Sequence, residues 1–471
     1  MGNLHELTLA ELAAAIRKRE VSPVEVTEHY LRRAEERNPV IGAFFTIAAD
    51  QALDQARAAE VELKAGEDGR PLLGVPIPVK DLNLVEGMPF TMGSKTLKDF
   101  VAPIDDYVTQ SLKNAGATIM GKTATPEFGL PCYTETDIAP PARTPWDTTK
   151  SAGGSSGGAA AAVAAGMAPA AQGNDGGGSI RIPSSVCGLF GIKPTRGRVS
   201  HGPIMPDLAG LAINGPIART VEDAALLLDV LTGNHPGDMY FLPRPPASFQ
   251  QEANTPQTKR LRIARTLAHP VEGAPVHEDC VAAYEDASRL LESLGHEVID
   301  VDPPFSPDAV EHFETLWYAM ATLAPVAPEQ EHQLRNLTRY LRDKGKKLTA
   351  NQLMNAQAAL QATTRQALTQ LDEYDALLTP TLAQPPAPVG WFSEDDPAKG
   401  FEQQKAFTPY TAVSNVSGQP AVNVPLYWNE QNLPIGVMLA GRMTEEATLI
   451  RLSRQLEQAR PWKDRHPELW R

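Results

Sequence analysis

The chain has 471 residues, of which 42% are hydrophobic and 21% charged, a composition typical of a folded protein with a large core. Its net charge of −14 argues against nucleic acid and anionic membranes as partners, because both select for basic patches, and no apolar stretch reaches the roughly 20 residues of a membrane span. The N-terminus lacks the pattern of a signal peptide and the three cysteines are too few for a disulfide framework, so we expect a cytoplasmic protein.

Helix and strand signals alternate from the N-terminus to residue 121. Residues 8–11 and 22–25 both have the pattern of a capping box, so each should begin a helix. Residues 72–81 form a short apolar run whose two prolines prevent regular pairing on both of its edges. Further helices are expected at 50–64 and 107–114, and a strand at 117–121. This alternation predicts an α/β architecture.

Two glycine-rich loops, 153–158 and 173–178, lie on either side of an alanine-rich segment that should be helical. Glycine lets backbone amides turn toward a ligand, and the loops present Ser155 and Ser179. A flexible linker would not interleave apolar residues as 179–183 do. A P-loop would need Gly-Lys-Ser/Thr, and a dinucleotide loop would need an acidic residue further on, so the pattern favours serine chemistry.

The same alternation continues beyond the loops. Thr220 should begin a helix that Gly233 ends, and residues 235–256 read as a proline-rich connection. Strands are expected at 261–264, 297–301, 375–378, 422–426 and 436–439, and helices at 276–294, 308–318, 349–371 and from Thr444 onward. The chain has no internal repeat.

Ser179 is the candidate nucleophile because three glycines precede it, and their amides could surround the oxygen of an attacked carbonyl. A serine needs a base. His201 is the one histidine near the loops, but residues 200–203 equally resemble an exposed turn. Lys80 could serve if burial made it neutral, although from its spacing alone an ion pair with Asp81 is the favoured interpretation.

Asp175 and Arg181 bracket the second loop, and we interpret them as a brace for its shape rather than as substrate-binding charges. Cys187 follows an apolar segment and is expected in the core. No His, Cys or Asp cluster has the spacing of metal ligands, so neither a metal nor a cofactor is expected.

Together these segments resemble the signature region of the amidase signature family of serine hydrolases. The matching stretches are 153–158, Asp175, 177–181 and 191–200, and the similarity extends to 74–81, 121–123, 126–128, 145–146 and 416–421. The resemblance implies an α/β fold with one large domain over 1–471, in which a central mixed twisted sheet is covered on both faces by helices. The N-terminal helices at 8–64 would pack on it, and the signature core would span about 70–235.

By resemblance, Lys80, Ser155 and Ser179 form a Ser-Ser-Lys triad. Ser179 would attack the carbonyl, Ser155 would relay its proton beside a cis peptide after Gly154, and neutral Lys80 would be the base. An oxyanion hole would be formed by the amides of Gly176, Gly177, Gly178 and Ser179.

One position departs from the family pattern. Asn174 stands where threonine is usual, and this version resembles bacterial amidases acting on cyclic or linear amides, among them the nylon-oligomer cyclic-dimer hydrolases.

The resemblance implies an amidase acting on a small-molecule amide through an acyl-enzyme, without nucleic acid or membrane, and a homodimer is compatible with it. The alternatives are the amidase subunit of a tRNA-dependent amidotransferase, and an ester or carbamate hydrolase using the same site. A binding protein without catalysis is disfavoured because all three triad residues are present. Side chains expected at the substrate, each equally compatible with core packing, are Phe128, Cys132, Tyr133, Met205, Trp317 and Trp391.

Overall fold

A computed structural model of the chain describes residues 3–66, 69–205 and 208–471. These residues form a large mixed sheet, flanked by helices, and a smaller sheet of three strands. The strands are β1 (Phe44–Ile47), β2 (Pro76–Lys80), β3 (Thr118–Thr123), β4 (Ala170–Asp175), β5 (Phe190–Lys193), β6 (Ile213–Ala218), β7 (Arg262–Arg265), β8 (Glu297–Asp300), β9 (Ala376–Pro380), β10 (Ala421–Trp428) and β11 (Pro434–Gly441). The predicted α/β fold with a central mixed sheet between helices is confirmed.

The helices lie between and around the strands. They are α1 (Leu9–Arg17), α2 (Pro23–Ile41), α3 (Ala49–Ala65), α4 (Tyr107–Asn114), α5 (Gly157–Ala164), α6 (Arg181–Cys187), α7 (Val221–Leu231), α8 (Phe249–Ala253), α9 (Glu278–Ser293), α10 (Asp308–Ala321), α11 (Asn336–Gly345), α12 (Ala350–Leu371), α13 (Pro397–Phe407), α14 (Ala412–Ser417) and α15 (Glu446–Ala459). Within the described ranges, none of these helices is both long and apolar enough to cross a membrane.

The large sheet has the strand order β4-β6-β5-β10-β11-β9-β7-β8. Neighbours are antiparallel from β4 to β9, and β9, β7 and β8 are parallel to one another. Helices α6, α7, α9 and α15 pack against these strands. The edge strand β4 ends directly before the second glycine loop, so the sheet fixes where that loop begins.

The small sheet has the order β1-β3-β2 and holds Lys80. Strand β2 pairs in parallel with β3, and its register shifts between Ile77 and Val79. The intervening Pro78 cannot donate a ladder hydrogen bond, which accounts for the irregular pairing. Every residue of β2 is buried, and the strand therefore delivers the lysine into the interior.

Helix α5 supports the first glycine loop from behind. The predicted alanine-rich helix is confirmed, and all of its residues are buried. A Cβ atom on Gly158 would lie 2.4 Å from the carbonyl oxygen of Ala43 and 2.4 Å from the amide nitrogen of Ala124. Only glycine permits this close approach, which places the start of the helix beside β3.

Several predicted boundaries agree with the structure. Helix α4 has the predicted bounds, and Thr8 and Glu11 form the predicted capping box of α1. Ser22 accepts a hydrogen bond from the Glu25 amide at the start of α2, with Pro23 in the first helical position. Local capping chemistry is sufficient to predict these helix starts.

Other expectations were wrong. Residues 173–175 belong to β4, where they pair with β6, so the second loop begins at Gly176. Alanine and glycine have low strand propensity, which hides this strand in the sequence, and pairing with β6 overrides that propensity. Thr444 does not cap α15: its φ is +68°, its amide donates to Thr195, and Glu445 precedes the helix.

Candidate active site

Three chain segments bring Lys80, Ser155 and Ser179 to one buried place. Lys80 ends β2, Ser155 lies just before α5, and Ser179 lies between β4 and α6. The Nζ atom of Lys80 donates to Ser155 Oγ at 2.7 Å and to Asn174 Oδ1 at 2.5 Å. Both groups that accept from Lys80 Nζ are neutral, so no anion among the described residues is hydrogen-bonded to the lysine.

Burial lowers the pKa of Lys80 well below its ordinary value, and the more distant Asp175 carboxylate opposes this effect. The ion pair between Lys80 and Asp81, which the spacing favoured, does not form. Asp81 instead accepts from Lys122 Nζ at 2.7 Å and from the Thr91 amide at 2.9 Å. Adjacent residues of an extended chain point in opposite directions, so the two side chains separate.

Ser155 and Ser179 differ in their contacts. The Gly154–Ser155 peptide bond is cis, as the resemblance implied. Ser155 Oγ is held by Lys80, whereas the hydroxyl of Ser179 hydrogen-bonds to no residue in the described part of the chain. Ser179 is 6% exposed and lines two cavities, so its hydroxyl is available to a ligand.

Asp175 and Arg181 hold the second loop in shape. Asp175 accepts from the amides of Gly178 at 2.7 Å and Ile180 at 3.1 Å, and from Arg181 at 2.9 and 3.0 Å. Burial alone would raise the pKa of Asp175, but the charge and hydrogen bonds of Arg181 outweigh it and bring the pKa to about 2. The charges of Asp175 and Arg181 therefore pair with each other inside the protein.

The predicted oxyanion donors need one correction. The amide of Gly178 already donates to Asp175, so it is not free to bind an oxyanion. The amides of Gly176, Gly177 and Ser179 donate to nothing within residues 3–66, 69–205 and 208–471. These three N–H groups are the amides of the loop that remain available as donors.

Gly178 also requires glycine for its backbone. Its φ is +133°, and a Cβ atom there would lie 2.3 Å from Thr411 Oγ1. That hydroxyl donates to the Gly177 carbonyl oxygen at 2.6 Å. Thr411 and Asp175 thus hold the two sides of one peptide group, the Gly177 carbonyl and the Gly178 amide.

The larger cavity has a volume of about 520 Å³ and contains both serines in its wall. Among its described lining residues there is no Asp, Glu, Lys or Arg. Its polar side chains are Asn83, Ser155, Asn174, Ser179, His201 and Asn214, and its apolar ones include Leu82, Phe90, Met92, Phe100, Phe128, Met205 and Trp317. The cavity therefore suits an uncharged, largely apolar group.

A smaller cavity of about 110 Å³ also reaches Ser179. It shares Leu130, Ser179 and Trp317 with the larger one, so Trp317, on α10, borders both. Two charged residues line it, Glu314 and Lys405, and they form an ion pair at 2.5 Å. Their charges offset each other, which leaves this cavity mostly apolar as well.

The predicted substrate-contacting side chains divide into two groups. Phe128 and Met205 line the larger cavity, Cys132 lines the smaller one, and Trp317 lines both. Tyr133 does not reach either cavity, because its ring is buried against Phe392 at a centroid distance of 4.4 Å.

Trp391 is also outside both cavities. It is 40% exposed and packs its edge against Phe392. The prediction was wrong for Tyr133 and Trp391, because both rings pack on Phe392 instead of facing Ser179.

Two polar residues of the site carry only weak signals in the sequence. Asn174 stands out there as a departure from a pattern, yet it contacts Lys80 directly. Gln172 is not among the predicted site residues, although its Oε1 accepts from the Lys80 amide at 2.9 Å and anchors the end of β2. A polar side chain two residues before Asn174 in a strand of small residues is the signal that could have found it.

His201 does not serve as a partner of either serine. It lines the larger cavity, and its Nε2 atom is buried without a hydrogen-bond partner in the described chain. The described residues also contain no group of three or more His, Cys, Asp or Glu side chains arranged to hold a metal ion.

The fold and the comparisons with known proteins place the chain in one enzyme class, the amidase type of hydrolase. The sequence profile of the amidase family matches residues 25–450. The acylamidase of Rhodococcus erythropolis is 33% identical over 473 residues, covering 99% of this chain and 98% of that protein. The chain belongs to the amidase family.

Two further comparisons describe its relatives. A glutamyl-tRNA(Gln) amidotransferase subunit from Thioalkalivibrio sulfidiphilus is 35% identical over 493 residues, covering 99% of each chain. The structure of a 6-aminohexanoate cyclic dimer hydrolase complexed with substrate superimposes with a TM-score of 0.92 at 29% identity, covering 99% of this chain and 100% of that one. The relatives are enzymes acting on amides.

Proposed function

We propose that this protein is an amidase that works on its own, without a partner protein, and cleaves a carboxylic amide through an acyl-enzyme on Ser179. The observation that carries the proposal is the buried Lys80 Nζ at 2.7 Å from Ser155 Oγ. Burial lowers the pKa of Lys80, which favours the neutral amine, and a neutral amine can accept a proton. Lys80 would then be the general base, which is the role that histidine has in other serine hydrolases.

In the first half of the reaction, the hydroxyl of Ser179 attacks the amide carbonyl carbon. Its proton passes to Ser155, and the proton of Ser155 passes to Lys80. The amides of Gly176, Gly177 and Ser179 stabilise the negative oxygen of the tetrahedral intermediate. When the carbon–nitrogen bond breaks, Ser155 protonates the leaving amine and recovers its proton from Lys80, which leaves an ester on Ser179.

In the second half, water attacks the ester carbonyl. The same relay takes one proton from the water, and a second tetrahedral intermediate forms in the same donor set. Its collapse returns the proton to Ser179 and releases the carboxylic acid. The cycle consumes one amide and one water and leaves the protein unchanged.

The cavities favour a neutral substrate with apolar groups. Two mostly apolar cavities meet at Ser179, so the scissile carbonyl can carry an apolar group on each side. A substrate with an unpaired charge would lose its hydration in the larger cavity without gaining an opposite charge from the described residues of its wall. Aryl and alkyl amides are therefore the proposed class, and related esters or carbamates could react at the same site because the attacked group is again an acyl carbon.

The second candidate is the amidase subunit of an amidotransferase. It is supported by the 35% identity to the glutamyl-tRNA(Gln) amidotransferase chain. Amide hydrolysis in such a subunit would supply ammonia from an amino-acid amide, which carries an ammonium and a carboxylate. The described residues of the larger cavity wall offer no counter-charge for either group, so the amidase without partner is preferred.

The test uses the purified chain with octanoyl anilide and no added protein or tRNA. We expect hydrolysis by the wild type and a loss of at least ~1,000-fold in kcat/KM for Ser179→Ala and Lys80→Met, because each removes a group that acts in the transition state. A fluorophosphonate should label Ser179 once, as read by mass spectrometry.

Ser293→Ala, an exposed serine at the end of α9, is the control and should keep full activity. Wild-type turnover in Ser179→Ala would refute the assignment. Activity that requires a partner protein would favour the amidotransferase role instead.

A further inference from the structure

His201 lies in the wall of the larger cavity and takes no part in the lysine–serine contacts. Its Nε2 atom is buried and has no hydrogen-bond partner in the described residues, and the side chain makes no other hydrogen bond there. Because Nε2 is shielded even from a water molecule, a ligand would meet the ring at Nδ1, which is accessible and also makes no hydrogen bond to a described residue. The imidazole carries an N–H in every protonation state and can donate it.

Asn214, on β6, provides a second polar group in the same cavity. Its Oδ1 accepts from Gln172 Nε2 at 2.9 Å, which fixes the orientation of the side-chain amide. Its Nδ2 donates to no described residue. Since the oxygen is used by Gln172, the unused part of this side chain is an N–H donor.

Asn83 and Asn174 are the remaining amide side chains of the cavity. Asn83 accepts from Gln172 at 3.0 Å and donates to Asp106 at 2.8 Å. Asn174 accepts from Lys80 through Oδ1, and its Nδ2, like that of Asn214, donates to no described residue. The other lining side chains, apart from the two serines, are apolar. Since Asn174 is bonded to Lys80 at the reacting end, His201 and Asn214 are the other described side chains of the wall with an unused hydrogen-bond group.

We propose that His201 and Asn214 determine specificity by binding a second, uncharged acceptor oxygen of the substrate, such as the carbonyl of another amide or ester. This inference rests on the proposed function, because it takes the cavity at Ser179 as the substrate site. The substrate then carries two polar groups joined by an apolar chain, the scissile amide at Ser179 and the acceptor at His201. Neutral diamides and amide esters are the chemical class that fits both ends.

The test measures binding in the Ser179→Ala background, where the probes are not consumed. One pair of probes is octanoyl anilide and 5-acetamidopentanoyl anilide, whose acyl chains have similar length. The other pair is N-octylbenzamide and N-(5-acetamidopentyl)benzamide, which places the second amide on the amine side. Calorimetry compares the Kd of each probe for the Ser179→Ala protein with and without His201→Leu.

In at least one pair, His201→Leu should raise the Kd of the acetamido probe about tenfold and change the Kd of the matching alkyl probe less than twofold. The reason is that only the acetamido probe has an oxygen that can accept from the imidazole. His201→Gln retains an N–H donor and should restore part of the loss. If the Kd values of both probes of a pair rise equally, His201 only packs against the substrate. If the Kd changes in neither pair, His201 does not bind the probes. Either result overturns the inference.

The two proposals fail in different ways. If the discriminating binding is found but the wild type hydrolyses none of the probes, the specificity assignment stands and the amidase proposal fails. If the wild type hydrolyses the probes and His201→Leu leaves the discrimination unchanged, the amidase proposal stands and the role of His201 is refuted.

Discussion

At the scale of single residues, Lys80 owes its chemistry to its position. The chain contains other lysines, but this one ends a fully buried strand and contacts only neutral oxygens. Because water and counter-ions are excluded, the charged form is disfavoured and the amine can act as a base. The sequence supplies the lysine, and β2 supplies the environment.

The pH dependence of catalysis should report this environment. The proposed mechanism requires neutral Lys80, so kcat/KM should rise with pH through the pKa of Lys80, which burial places well below the ordinary value of about 10.4. Lys80→Arg keeps a charge that cannot be lost and should be nearly inactive at every pH. The measurement is a pH–rate profile on octanoyl anilide, and a flat profile would contradict the role of Lys80.

A second prediction concerns the buried pair of Asp175 and Arg181, both of which are 0% exposed. Asp175→Asn would leave the arginine charge buried without its partner, and we expect the free energy of unfolding to fall by about 3–5 kcal/mol. The double variant Asp175→Asn with Arg181→Gln removes both charges and should be less destabilised than the single one. Urea unfolding of the wild type and the two variants tests this order, and a double variant at least as destabilised as Asp175→Asn would contradict it.

At the scale of elements, the junction of β4, the glycine loop and α6 decides the geometry of the site. Strand β4 fixes Asn174 and Asp175, and α6 begins with Arg181, which returns to Asp175. The loop between them is therefore tied at both ends to one carboxylate. The amides of Gly176, Gly177 and Ser179 are left without a described partner, and the proposed oxyanion hole uses them.

Gly178→Ala should disrupt this junction. The new Cβ would clash with Thr411 at a positive φ, so we expect a stability loss of about 1–3 kcal/mol and a loss of activity larger than that of Gly177→Ala. Gly177→Ala is the matched control, since its Cβ would meet nothing closer than Phe313 at 3.5 Å. Thermal unfolding and kcat/KM on one substrate give the comparison. Equal behaviour of the two variants would refute the steric argument.

At the scale of the whole molecule, the two ends of the chain meet in a histidine cluster. His5 stacks on His29 at a centroid distance of 5.2 Å, and His466 stacks on Trp470 at 4.1 Å. Burial, assisted by nearby arginines, lowers the pKa of His5 to about 3 and the pKa values of His29 and His466 to about 4. These histidines stay neutral in the folded protein at pH values where the unfolded chain is protonated.

The cluster predicts acid sensitivity. Between pH 6.5 and about 4 these histidines bind more protons in the unfolded chain than in the folded one, so their contribution to the free energy of unfolding should fall as the pH falls through this range. His466→Phe keeps a ring against Trp470 without a titrating group, and should reduce the slope near pH 5 by up to ~1.4 kcal/mol per pH unit. Urea unfolding at several pH values measures the slope, and an unchanged slope would contradict the prediction.

Local signals in the sequence are enough for many elements. Helix α4 and the capping of α1 follow from side chains a few residues apart, so the sequence alone predicts them. Strands β5 and β6 were not predicted, because their short segments acquire strand structure only by pairing with β10 and with β4. Pairing between segments far apart in the chain leaves no local pattern.

For the site, the sequence by itself determined the residues with distinctive chemistry: the two serines in glycine loops, Lys80 after an apolar run, and the loop charges Asp175 and Arg181. Only the tertiary structure decided how each is used. It turned Lys80 away from Asp81 and toward Ser155, and it gave the Gly178 amide to Asp175. It also placed His201 in the cavity and Tyr133 in the core. The physical reason is that residue type fixes which bonds a group can form, whereas burial and the direction of approach, set by distant strands, fix which of them it does form.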